Sequence, residues 1–483
     1  MTAVTGTKPH PIFLAGRWVE SPDPLVVANP ADDSTPAGST FNATPEQYEE
    51  AVLAAVAAFE VTRTLPAYER GRILREISSG VKARREELGR LIALEAGKPI
   101  RDALVEVDRA VLTFRLGAEE AERMTGEVIP LDLLPSSKDR VGITRRFPIG
   151  PIAAISPFNF PLNLVAHKVA PAIAVGAPIV LKPAPATPLS ALLLGDLLAA
   201  TDLPEGMFSV LPIPNERARS LVDDERLPVV SFTGSGPVGW QIRDAVPRKH
   251  VTLELGGNAA AVVCQDWTDL DWAATRIATF SNYQAGQSCI AVQRVIVHEA
   301  RYDELADRIV SKINEQRQGD PFDENTDVGP MINEAAAERV EQWVDEAVKA
   351  GATVLAGGTR DRATYAPTVL ADAPADAKVC TEEVFGPVLV LIRARSDEEA
   401  FALVNESQYG LQAGVFTRDL PTAFAAARQL KVGGVIVGDV PSYRADQMPY
   451  GGMKGSGVGR EGLRSAMDDY TEARVLVLTG LPL

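Results

Sequence analysis

Short β-rich runs recur along this chain at residues 152–155, 179–181, 229–232, 251–255 and 259–264, each separated from the next by turn residues or a helical stretch. That alternation restricts the chain to an α/β fold with largely parallel sheets, because parallel strands need a crossover and the crossover is usually a helix. Ile73, Leu74, Ile77 and Val81, then Leu88, Leu91 and Ile92, recur at spacings of three and four with Arg, Lys and Glu between them, which predicts helices with one buried face. A further helix is predicted through Val340, Trp343, Val344, Ala347 and Val348, stopping at Gly351, a residue able to take the left-handed conformation at a helix C-terminus. At 483 residues the chain exceeds what one core organises, so two or three domains are expected.

The formal charge of −16 disfavours nucleic acid and anionic membrane as partners, and no basic cluster offsets it. Residues 1–11 lack the apolar core of a signal peptide. The longest apolar-looking stretch, 169–181, contains Pro171, Gly176 and Pro178 and is too short to span a bilayer, so a cytoplasmic protein is expected. Cys264, Cys289 and Cys380 form no close pair, and His10, His167, His250 and His298 show no metal-ligand spacing, so neither a disulfide framework nor a metal site is expected.

Cys264 sits in an Ala/Val run and reads as a small buried hydrophobe, and Cys380 as structural. Cys289 differs. It ends the turn GQSC at 286–289, a setting that presents a thiol as a nucleophile. Two distant segments supply what such a thiol needs: Asn159, in the Pro-punctuated segment SPFNFPLN at 156–163, offers an amide donor, and Glu254, in LELGGN at 253–258, a carboxylate in an apolar setting beside two glycines that allow movement. The segment 234–239 spells G-x-G-x-x-G after a β-rich run, and Glu254 follows Gly234 by 20 residues, where a dinucleotide fold would place a ribose-binding acid. Glu254 cannot serve as both ribose ligand and base.

The motifs ISPFNFPLN (155–163), LKPA (181–184), SFTGS (231–235), LELGGN, GQSC, EEVFGP (382–387) and PYGGMKGSGVGREG (449–462) occur in an order that resembles the aldehyde dehydrogenase superfamily, from about Phe13 to the C-terminus, and in particular its branch acting on lactaldehyde and other small polar aldehydes. The resemblance implies a Rossmann-like cofactor domain (1–124 and 148–256), an α/β catalytic domain (257–456), and an oligomerisation element (125–147 and 457–483) whose β-hairpin and C-terminal strand pair with a neighbouring subunit in a homodimer or homotetramer. It implies Cys289 as nucleophile, Asn159 with the Cys289 backbone N–H as oxyanion donors, Glu254 as the base that activates water, and Lys168 near that carboxylate as an aid to proton relay.

The cofactor is then NAD or NADP, contacted by Ile155, Ser156, Pro157, Phe158, Lys182, Leu255 and Gly256. Gly234, Ser235 and Gly239 face the pyrophosphate with Gly236 not required, Glu383 holds the nicotinamide ribose, and Phe385 packs near the ring. Two departures from the family pattern matter. Pro185 stands where NAD-preferring relatives carry a Glu, which opens the site to a 2′-phosphate. Arg464 stands where many relatives carry an acid after the GRE segment, which puts the proton relay in doubt. Ser288 replaces the Arg of phosphate-binding relatives. Phe158, Phe160, Tyr283, Ile290 and Tyr443 are expected to line the substrate tunnel, and Arg115 or Arg444 to hold a polar or anionic tail. Competing readings are a CoA-acylating enzyme, a non-catalytic dinucleotide-binding protein of the same fold, and a thiol hydrolase without redox chemistry.

Overall fold

The computed structural model describes residues 8–480, so the start of the signal-peptide reading and the outer ends of the expected domains lie outside the described residues. Five strands, Ile152–Ile155, Ile179–Lys182, Phe208–Val210, Val229–Thr233 and His250–Glu254, pair in parallel in the spatial order third, second, first, fourth, fifth. Ile12–Leu14 and Arg17–Val19 extend this sheet antiparallel at one edge, and Gly457–Val458 at the other. Strand order reverses beside Ile152–Ile155. Crossovers leave the sheet there in opposite directions, which opens a crevice beyond the C-terminal ends of the strands.

A second sheet has seven strands, in the order Thr353–Ala356, Thr368–Ala371, Val388–Ala394, Arg294–His298, Ala260–Val263, Gln412–Phe416 and Gly434–Val437. All its pairings are parallel except the first. The run predicted at 259–264 is therefore an inner strand of this second sheet. A third, three-stranded antiparallel sheet joins Thr471–Thr479, Arg140–Pro148 and Val128–Pro130.

The helical periodicities hold. The first two stripes bury their apolar residues on Ala67–Ala83 and Arg85–Ala96, with Arg84 leaving helical geometry between them (φ −105°, ψ 24°). The third lies on Glu334–Lys349, and Gly351 takes the positive φ its position required, +116°. The helix Asn163–Val175 is buried on every side and carries Pro171, and it accounts for much of the apolar 169–181 stretch. Its N-terminus lacks a side-chain cap of its own. Glu106, from the helix Ile100–Arg123, accepts from the backbone N–H groups of Leu162 and Asn163 at 2.9 and 3.1 Å, and Lys98 pairs with it. Free helix N–H groups in a dry interior need such an acceptor. Among the described residues no helix is long and apolar enough to cross a membrane.

Candidate active site

A cavity of about 850 Å³ opens at the C-terminal ends of the parallel strands of the first sheet. Those ends deliver the expected cofactor residues to one wall: Ile155 to Asn159 after the first strand, Lys182 after the second, Gly234 and Ser235 after the fourth, Leu255 and Gly256 after the fifth. Ser235 stands at the N-terminus of the helix Gly236–Ala245 without capping it, so the first N–H groups of that helix are free to bind an anion. Lys182 donates to Asn215 Oδ1 at 2.9 Å, and burial pulls its ammonium down to about 8. From the opposite side Glu383 and Phe385 enter the cavity, Phe385 meeting Phe158 edge-on at 5.7 Å. Burial pushes the Glu383 carboxyl up to about 7, while the Gly257 N–H, donating to its Oε1 at 3.0 Å, opposes that rise. A long cleft with open helix donors at one end and a buried carboxylate at the other fits a nicotinamide dinucleotide.

Gly239 corrects the sequence reading. It lies outside the cavity wall, and a Cβ there would come within 2.3 Å of Leu255 Cδ2, so its lack of a side chain serves helix–strand packing rather than the pyrophosphate. A Cβ on Gly236 would meet nothing within 4 Å.

Cys289 reaches the same cavity through a strained turn. After the helix Leu270–Asn282 the chain passes through Gln284 (φ 55°), Ala285 (φ 52°) and Gly286 (φ 69°), three successive left-handed residues of which two carry a Cβ. Such conformations persist only where surroundings over-determine them. At Gly286 a Cβ would lie 2.0 Å from the Gly386 carbonyl, and at Gly257 another would lie 2.2 Å from the Cys289 carbonyl. Of the glycines beside Glu254, Gly257 is thus explained by close approach of the Cys289 backbone and Gly256 by the Glu383 carboxylate, where freedom of movement had been expected. Asn159 Nδ2 donates to the Gln287 carbonyl at 2.9 Å, which leaves its second N–H for another acceptor. Cys264 and Cys380 are buried away from the cavity, as expected of structural thiols.

Glu254 lines the cavity with both carboxylate oxygens buried and without a hydrogen-bond partner. Burial, then the charge of Glu461, pushes its pKa well above the usual carboxylate range, while Arg444, Lys168 and Arg460 oppose that shift. Lys168 is 1% exposed and donates to Ser231 Oγ and Thr233 Oγ1 at 3.0 and 2.8 Å, with Glu461 Oε1 at 3.6 Å. Glu461 also accepts from Arg444 Nη2 at 2.9 Å, and these cations hold it down at about 2. The doubt raised by Arg464 is therefore misplaced. Arg464 lies outside the cavity near Glu120 and Asp468, and the acid facing Lys168 is Glu461 of the GRE segment itself.

Of the expected substrate residues, Phe158 and Arg444 line the cavity. Ile290 clusters with Leu411, Tyr450 and Cys289, and Ser288 occupies the adjoining turn. Phe160 stacks on Tyr283 at 6.2 Å, outside the cavity wall, with Lys98 Nζ 3.8 Å above its ring. Tyr443 is half exposed and lies off the wall. Arg115 is a correction: its side chain is exposed beside Glu119 on the outer face of the helix Ile100–Arg123. Sequence reasoning missed Tyr450 and Glu461, although both stand inside the quoted motif at 449–462. It also missed Asn215 and Arg219, which line the cavity beyond Lys182.

Fold and site together define a nicotinamide-dependent dehydrogenase that carries a thiol in its cofactor cleft. The aldehyde dehydrogenase family profile matches residues 18–476. The 3-sulfolactaldehyde dehydrogenase of Priestia aryabhattai is 42% identical over 99% of this chain and all of that protein, and the lactaldehyde dehydrogenase of Methanocaldococcus jannaschii is 38% identical over 97% of this chain and all of that protein. Among solved structures, aldehyde dehydrogenase 21 from Physcomitrella patens, in complex with the reaction product succinate, superposes with a TM-score of 0.97 at 46% identity over 99% of both chains. NADP-dependent glyceraldehyde-3-phosphate dehydrogenase from Bacillus halodurans, complexed with NADP, superposes with a TM-score of 0.94 at 33% identity over 98% of this chain and 100% of that one. NAD-dependent aldehyde dehydrogenase from Sinorhizobium meliloti has a TM-score of 0.94 at 32% identity, covering 99% and 96%. The chain belongs to the aldehyde dehydrogenase family. It is an NAD(P)-dependent oxidoreductase acting on the aldehyde group of its donors.

Proposed function

We propose that this enzyme oxidises a small polar aldehyde, one bearing an anionic tail, through a covalent intermediate on Cys289. The observation that carries the reading is that the sulfur of Cys289, the unpartnered carboxylate of Glu254 and the amide of Asn159 line one cavity with the cofactor-facing strand ends. The Cys289 thiolate attacks the carbonyl carbon, and the free N–H of Asn159, with the Cys289 backbone N–H, takes the oxygen as charge develops on it. Lys182, Ser235, Glu383 and Phe385 would hold a nicotinamide dinucleotide in this cavity, and that group would supply the hydride acceptor the oxidation needs. Glu254 then draws a proton from water, which cleaves the thioester, and Lys168 and Glu461 hold the outgoing path for that proton. A free carboxylate of this kind has no task in CoA acylation, where a thiol takes the acyl group.

Arg444 supports the anionic tail: it is buried, lines the cavity, and keeps its Nε–H without a partner. The two relatives act, by name, on sulfolactaldehyde and lactaldehyde, and the moss enzyme holds succinate, all small and polar. Ser288 in place of an Arg weighs against a phosphorylated substrate. Pro185, with Lys182 and Arg219 at the adenosine end, supports tolerance of a 2′-phosphate and hence use of NADP as well as NAD. The two large sheets support a cofactor domain of 1–124 and 148–256 and a catalytic domain of 257–456, and the third sheet an assembly element of 125–147 and 457–483, except that Gly457–Val458 pairs with the first sheet; a homodimer or homotetramer in the cytoplasm is part of the same reading.

Purified protein is to be assayed with small aldehydes, neutral and anionic, against both cofactors by nicotinamide reduction, with and without CoA. Turnover to the free acid without CoA is expected, and loss of it in Cys289→Ala with cofactor binding retained. Activity of that variant near wild type rejects the reading.

A further inference from the structure

We propose that the Tyr450 hydroxyl is the hydrogen-bond donor to the Cys289 thiolate, which makes Tyr450 a further catalytic residue; the inference rests on the reading of Cys289 given above. The phenol oxygen stands 2.9 Å from Sγ, and among the described residues no other side chain or backbone group hydrogen-bonds that sulfur. Tyr450 is 3% exposed and packs with Ile290 and Leu411 around Cys289, which holds the hydroxyl against the sulfur. Its backbone is pinned by two hydrogen bonds with Glu461, Tyr450 N–H to the Glu461 carbonyl at 3.0 Å and the reverse at 2.6 Å. The Arg444 guanidinium lies 3.8 Å from the centre of its ring, where a cation strengthens the O–H as a donor.

A sulfur in this place needs such a donor. Burial pushes the thiol up to about 12, Glu383 and Glu254 add to the rise, and the Tyr450 hydrogen bond and Arg444 oppose it. Glu461 and Lys168, on the neighbouring segments, are already paired with Arg444 and with Ser231 and Thr233. The tyrosine keeps its own proton, since burial, then the neighbouring sulfur, raises its ionisation well above the usual phenol range. It is a donor at every working pH.

The donor acts twice. When the thiol loses its proton to base, the hydroxyl bonds to the sulfur anion. As the C–S bond forms, the carbonyl π pair moves onto oxygen and the sulfur loses its charge. In hydrolysis the C–S bond breaks, the pair returns to sulfur, and the hydroxyl receives the leaving thiolate. Removal of the donor therefore slows acylation and deacylation together, whereas removal of Glu254 stalls the second alone. A one-unit rise in thiol pKa costs tenfold in thiolate, but the remaining thiolate is more nucleophilic, so the net loss at neutral pH is about threefold.

The test is alkylation by iodoacetamide, followed by mass spectrometry on the Cys289 peptide across pH, without aldehyde or cofactor. Tyr450→Phe is expected to move the profile about one unit upward and slow labelling at neutral pH about threefold, with the melting temperature and nicotinamide binding unchanged. Superposable profiles overturn the proposal while leaving Cys289 as nucleophile. That reading is decided separately by the turnover of Cys289→Ala. Replacement of Tyr450 by 3-fluorotyrosine, isosteric and a stronger donor, is expected to move the profile downward, and it decides the matter should the Phe variant fail to fold. An unmoved profile in that form overturns the proposal as well.

Discussion

Glu254 owes its chemistry to what it lacks. Its neighbours Leu253 and Leu255 are buried, the two cations nearest to it are engaged elsewhere, and no donor reaches either oxygen. A carboxylate so placed holds its proton above the ordinary range and works as a base once that proton is gone. Glu254→Gln should show a burst of reduced cofactor followed by a stall at the acyl-enzyme in stopped-flow, and steady turnover at the wild-type rate would remove Glu254 from the role. The same residue makes a stability prediction. Below the unfolded-state pKa, about 4.3, the carboxyl is protonated in both states and the variant should melt with wild type. As pH rises toward the raised folded pKa, the unfolded chain ionises first and wild type loses stability that Gln retains, so the melting curves should separate in favour of the variant. Cys289, Asn159 and Glu254, which share the cavity, could be picked out in the sequence because each stands in a short motif. Tyr450 and Glu461 could not, because their meaning depends on which side chains face them, and Cys289, Arg444 and Lys168 come from distant segments.

Among the elements, the site is an intersection of loops rather than a property of any one strand. The Leu253–Glu254 strand end, the left-handed turn before Cys289 and the 382–387 segment approach so closely that Gly256, Gly257 and Gly286 have no room for a methyl group. Gly257→Ala places a Cβ 2.2 Å from the Cys289 carbonyl, and backbone cannot yield as a flexible side chain can. Overpacking of this kind should cost about 1–3 kcal/mol in denaturant melts. It should also reduce kcat/KM by at least an order of magnitude, since about 1 Å of displacement at a reacting atom is already costly. A variant that loses stability but keeps its rate would show that the approach is architectural only. The motif showed that glycines were required, but only packing gave the reason, as Gly239 also illustrates.

For the whole molecule, the third sheet is where exposed apolar side chains gather. Val128, Leu133 and Leu134 near the hairpin, and Val475, Leu476 and Val477 on the C-terminal strand, are each about half exposed or more. Exposed apolar side chains on one small sheet are what the proposed assembly element would bury against a neighbouring subunit. The paired change Val475→Glu with Val477→Glu should shift the species seen by light scattering toward monomer while nine residues of the strand keep their pairing with Arg140–Pro148; an unchanged mass would place the interface elsewhere. The α/β class, the family and the candidates Cys289, Glu254 and Asn159, which meet in one cavity, could be read from the chain alone, because hydrophobic period and short motifs are local and survive without coordinates. Tertiary structure alone decided that Glu461 and not a residue near Arg464 faces Lys168, that Arg115 lies outside while Arg444 lies within, and that a phenol touches the sulfur. Contacts between segments hundreds of residues apart are set by strand order and loop packing, and no local pattern encodes which side chain meets which.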